Sequence, residues 1–175
     1  MIYDSVYWKD ELIKLADKLE MRVIQRRWWD KSYYTLEKEI FLGFYSIRKL
    51  IESQKISKTV VDKTFNVLEF KSNDQPESII KDLSLSAYDF NKAKKTDMSI
   101  LKLCNQFIHS YYFSPLIVNR SLIGFFICSD YKRKSGIYFI TLFEVVDIYR
   151  IVGGNNPKSY VAIRQDNGKI ATHIE

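Results

Sequence analysis

The sequence predicts an α+β fold, with an N-terminal helical bundle followed by a C-terminal antiparallel β-meander. Three observations carry this. Gly43 is the only glycine before residue 120, whereas Gly124, Gly136, Gly153, Gly154 and Gly168 follow it. Glycine weakens a helix and suits a turn, so this distribution puts helices first and hairpins later. Apolar residues recur at three- and four-residue steps in the first third of the chain, and strand-like runs dominate after residue 120. Finally, Asp166-Asn167-Gly168 separates two short strand-forming runs, and Asn-Gly tolerates the positive φ angles of a tight hairpin.

Taken in order, Trp8, Leu12, Leu15, Leu19 and Val23 define one face of a helix over about Ser5 to Arg27, capped by Asp4 or Ser5. Leu36, Ile40, Phe44, Ile47 and Ile51 define a second helix over about Ser32 to Gln54. Two antiparallel helices bury more apolar face than one long one, which favours a break at Trp28-Trp29-Asp30. Thr64 to Phe70 reads as a strand ending at the turn-prone Ser72 to Pro76. Ile79, Ile80, Leu83 and Leu85 suggest a short helix, followed by a basic loop with Lys92, Lys94 and Lys95.

Asp97 is placed to cap a third helix running to about Tyr112, ahead of Pro115. Leu122 to Cys128 reads as a strand, Ser129 to Gly136 as a polar loop, and Ile137 to Tyr149 as a long strand bending near Glu144. Gly153 to Pro157 is a turn, and Tyr160 to Arg164 pairs with Lys169 to Ile174. With no linker or repeat, residues 1–175 read as one domain, helical over about 5–112 and β-rich over about 116–175.

The 175 residues are 46% hydrophobic and 27% charged, which excludes a disordered or low-complexity chain. Lys and Arg number 27 against 21 Asp and Glu, a formal charge of +6 that permits a polyanionic partner without requiring one. The start of the chain lacks the basic and apolar regions of a signal peptide, and no run reaches the ~18 apolar residues of a membrane span. The expectation is a cytoplasmic protein without membrane contact, its Cys104 and Cys128 reduced and packed. No GxxxxGK[ST], GxGxxG, GxSxG or HExxH motif is present. Cys104 and His109 are poorly spaced for joint ligation, so neither metal nor cofactor is expected.

The informative segment is Ile100 to Ser110. On a helix, Leu101, Cys104, Ile108 and Tyr111 share one face, with Lys102, Asn105, Gln106 and His109 as a polar stripe beside it. A cation, an amide and an imidazole on one ridge can hold a phosphate and move a proton. Equally, a histidine near a helix C-terminus is favoured by the helix dipole and can bond locally, with Asn105 merely one turn back.

Asn105-Gln106-Phe107-Ile108-His109 resembles the Asn-x-x-x-His half of the Arg-Asn-x-x-x-His signature of the HEPN superfamily. That family is a helical bundle, often dimeric, and many members are metal-independent ribonucleases of toxin and phage-defence systems. Others have lost catalysis and bind nucleic acid or a partner. Cys104 stands where the family has arginine. The resemblance therefore implies a degenerate member, in which Lys102 is the nearest cation to His109.

Three further clusters carry the charge. Arg26-Arg27-Trp28-Trp29 interleaves cations with rings that can grip phosphate and stack bases, or can plug a helix corner. Lys94 and Lys95, and Lys132-Arg133-Lys134, can touch phosphates or solvate a loop. The leading expectation is a non-catalytic module binding RNA or a protein partner, with a homodimer as its expected assembly. The alternative is a metal-independent ribonuclease using His109, Lys102 and Asn105.

Overall fold

A computed structural model of the chain describes residues 2–73, 88–157, 160–164 and 170–174, the last two stretches as backbone. The expected short helix around residues 79–85 and the Asp166-Asn167-Gly168 turn lie outside the described residues.

The first helix, α1 (Val6–Met21), is shorter than its apolar period suggests. Asp4 Oδ1 accepts the Val6 N–H at 2.9 Å, so Asp4 holds a first-turn amide, while Ser5 makes no side-chain cap. Residues 22–29 leave the helix, and Ser32 Oγ accepts the Trp29 N–H at 3.3 Å where α2 (Asp30–Glu52) begins. The expected break is present. Arg22 reaches Glu39 at 3.2 Å, and the Ile2 N–H donates to Ser53 Oγ at 3.3 Å, so both ends show that α1 and α2 run antiparallel.

A single turn, α3 (Lys58–Val61), leads to a hairpin of β1 (Thr64–Lys71) and β2 (Lys94–Ser99). Lys94 and Lys95 therefore lie on a strand and not in the expected basic loop. The cap of α4 (Ile100–Ile108) is Ser99, whose Oγ accepts the Lys102 N–H at 3.4 Å; Asp97 is inside β2. This helix stops at Ile108, one turn before the predicted Tyr112, because residues from Ser110 onward pair in a strand. That strand, β3 (Ser110–Val118), includes Pro115 and turns through Asn119 and Arg120 into β4 (Ser121–Ser129). Both turn residues have positive φ, 51° and 66°, which matches the twist of a two-residue hairpin.

The largest departure follows. Only Gly136–Thr141 extends as β5, and Leu142–Gly153 forms α5. Thr141 Oγ1 accepts the Glu144 N–H at 3.2 Å, and Leu142, Val145, Tyr149 and Val152 repeat at helical steps. Their continuous apolarity resembles a buried strand, which is how the sequence misleads. β6 (Tyr160–Arg164) and β7 (Ile170–Ile174) pair with each other in a separate two-stranded sheet.

The main sheet is antiparallel in the order β2-β1-β5-β4-β3. Among the described residues β2 and β3 each have a neighbour on one side only. The helices cover one face, where Leu12, Leu19, Ile40, Phe44, Phe107, Phe125 and Tyr149 form the main core. Phe70, Tyr88, Phe126, Ile137 and Phe139 form a second cluster on the opposite face. Burial on both faces explains why β4 is apolar almost without alternation. No helix among the described residues is long and apolar enough to cross a membrane.

Candidate nucleic-acid interface

Ile100, Leu103, Cys104 and Phe107 form the buried face of α4, with Phe107 stacked on Phe44 at 3.9 Å between centroids. This face is rotated from the expected one, since Leu101 is exposed and Ile108 only half-buried. The polar stripe consequently divides. Lys102 and His109 are exposed, whereas Asn105 and Gln106 turn inward. Asn105 Oδ1 accepts from Arg48 Nη1 at 2.6 Å, and Arg48 Nε reaches Glu52 at 2.6 Å. Gln106 Oε1 accepts the Ser129 N–H at 3.0 Å, locking α4 to the end of β4. Lys102 and His109 are seven residues apart, which on a helix is about 10 Å of rise.

Arg48 is a cation joined to this stripe that the sequence reading missed. It lies 57 residues from Asn105, so no local spacing joins them. Cys104, at the position of the missing motif arginine, is buried, and desolvation pushes its thiol up to about 12. It is neither a cation nor an available thiolate.

His109 closes α4 and opens the way to β3. Its N–H donates to the Asn105 carbonyl at 3.2 Å, and its own carbonyl accepts the Asp130 N–H at 3.2 Å. That second bond joins it to the 130–135 loop. One end of the sheet is therefore made by the start of β3, the end of β4, the start of β5, the end of β1 and the start of β2. His109, the 132–134 cluster and Lys94 all belong to this end.

Their availability differs. Lys132 is half-buried and bonded to Glu69, with its Nζ 4.8 Å from the centre of the Tyr138 ring. Burial lowers its affinity for a proton, but the Glu69 bond and Tyr138 outweigh that, leaving its pKa raised. Lys132 thus braces the loop. The Arg133 guanidinium lies 4.1 Å over the Tyr111 ring, with Nε 3.0 Å from Asp130. Lys134 and Lys94 are exposed and have no acid within ion-pair distance among the described residues, and Tyr131, in the same loop as Lys134, is 95% exposed.

Arg26 and Arg27 are not part of this end. Arg26 Nη1 donates to Ser121 Oγ at 2.6 Å, and Trp28 Nε1 donates to the Arg120 carbonyl at 2.9 Å. Both fix the α1–α2 corner to the opposite tip of the β3–β4 hairpin. The length of β4, Ser121–Ser129, separates the two ends by roughly 26 Å. Trp28 also meets Tyr33 at 5.8 Å, while Trp29 remains 68% exposed. Lys95 faces away from Lys94 along β2 and lines a hollow with Asn66, Phe139 and Glu144.

No group of three or more His, Cys, Asp or Glu among the described residues is arranged to hold a metal ion. A scan against protein-family models, a search of curated proteins and a search of solved structures each returned no match.

Proposed function

We propose that the protein is a non-catalytic RNA-binding module, and that it binds through the sheet end around His109. The observation that supports this most is the row of His109, Arg133, Lys134 and Lys94, with the Tyr111 and Tyr131 rings, along one end of the sheet from β3 across to β2. Exposed lysines attract phosphate, the arginine over Tyr111 offers a planar cation, and Tyr131 presents a free face on which a base can stack. Lys132 serves this surface from beneath by holding the loop to β1. In the same reading the chain is a degenerate relative of HEPN-like proteins, its motif arginine lost to Cys104.

The test is binding of a single-stranded RNA of about 20 nucleotides across a salt series. Binding should weaken as salt rises, and Lys94→Ala with Lys134→Ala should reduce the logarithmic salt slope by about 1.4, near 0.7 per lost phosphate contact. No binding at about 50 mM salt overturns the RNA reading and leaves a protein partner as the ligand of this surface.

One observation favours the ribonuclease alternative: Arg48 places a guanidinium on Asn105, close to where the resemblance expects a cation. In that reading His109 and Lys102 act on the phosphate, with Asn105 held by Arg48. It predicts RNA cleavage that resists EDTA and is abolished in His109→Ala. Equal cleavage by the variant excludes it.

A further inference from the structure

Independently of the His109 surface, a groove runs between α1 and α2. Its volume is about 570 Å³, and Tyr7, Trp8, Leu15, Leu42 and Tyr45 form its apolar walls. Trp8 falls on the core face by its spacing in the sequence, yet it is 36% exposed; Leu42 and Tyr45 are 50% and 44% exposed. These side chains face the groove in place of the core.

The two lysines of the groove lie at one end of it. Because α1 and α2 are antiparallel, Lys18 near the end of α1 lies toward Thr35 and Lys38 in the first half of α2. Tyr7 and Trp8 lie toward Tyr45 at the other end. Two acids also line the groove, and each has a cation of its own. Glu39 is paired with Arg22 at 3.2 Å, both side chains being less than 20% exposed, and Glu11 is 3.8 Å from Lys14. Among the described residues Lys18 and Lys38 have no acid within 4.0 Å. The groove therefore offers aromatic walls at one end and two unmatched ammonium groups at the other.

The two unmatched ammonium groups set the chemistry of the occupant. The lining spans Tyr7 to Lys18 and Thr35 to Ser46, three turns of each helix, or about 16 Å. A drug-sized molecule fits, since ligand pockets run from about 300 to 1,000 Å³.

We infer that the α1–α2 groove binds a small aromatic anion, its ring against Trp8 and Tyr45 and its carboxylate, sulfonate or phosphate between Lys18 and Lys38. The aromatic sulfonate 8-anilinonaphthalene-1-sulfonate is a suitable probe, with the neutral N-phenyl-1-naphthylamine for comparison, each titrated into the full chain and followed by fluorescence. The sulfonate should saturate one site. Lys18→Gln with Lys38→Gln should weaken it about tenfold while changing the neutral probe less than about twofold. Leu42→Glu, at an exposed position, should remove both, with circular dichroism confirming that each variant is folded. Sulfonate affinity unchanged by the double substitution overturns the inference, as does binding of both probes that survives Leu42→Glu. A chain that elutes as a dimer, refuses the sulfonate and becomes monomeric with Leu42→Glu also overturns it, by showing the groove to be an interface between copies.

Discussion

At Gly43 the backbone of α2 passes so close to α5 that a Cβ would sit 2.1 Å from the Tyr149 hydroxyl and 2.2 Å from its ring. The phenol is fully buried and donates to the Ile40 carbonyl at 2.9 Å. Gly43→Ala must displace that ring, and the cost, about 1–3 kcal/mol, should appear in urea denaturation. Tyr149→Phe removes only the oxygen, so it should not rescue the alanine. Cys104 makes a pH prediction. Burial pushes its thiol from an ordinary 9.0 up to about 12, so the folded state keeps a proton that the unfolded chain loses. Its contribution is complete below pH 9 and falls as pH rises toward 12. Denaturation midpoints between pH 8 and 11 should therefore fall less steeply for Cys104→Ala than for the parent chain.

At the scale of elements, the change from β5 to α5 turns on Thr141. Its hydroxyl caps the Glu144 amide, and Thr141→Ala should cost about 1 kcal/mol, seen as a lower urea midpoint with the fold retained. This is also where the sequence was least legible. Residues 137–149 are apolar enough for a buried strand, and only the steps from Leu142 through Val145 to Tyr149 and Val152 betray a helix. The same ambiguity extends α4 to Tyr112 on paper. There, strand pairing of Tyr112 with Cys128 overrides local helix propensity, a contact no window of neighbouring residues contains. Helices α1 and α2 were legible because their buried aliphatic residues, Leu12, Leu15 and Leu19 in one and Leu36, Ile40, Ile47 and Leu50 in the other, recur at helical steps. Even so, the period alone could not tell a core position from a groove position at Trp8.

At the scale of the whole molecule, the candidate surface depends on topology. That His109 lies near Lys134 and far from Arg26 follows from strand order, which residue spacing does not encode. Arg48 on Asn105 and Lys132 on Glu69 are likewise long-range pairs, so a cation free on the page of the sequence proves to be engaged in the fold. Lys132→Ala should accordingly lower stability and loosen the 130–135 loop, with proteolysis inside the loop as the readout. Strand order has one more effect. Among the described residues the two unpaired margins of the sheet carry different deterrents to polymerisation: β2 presents Lys94 and Lys95, and β3 contains Pro115, which has no N–H to offer an incoming strand. Charge guards one side and backbone chemistry the other. High salt should weaken only the first guard, so any tendency of this chain to stack into fibres at high ionic strength should begin at β2.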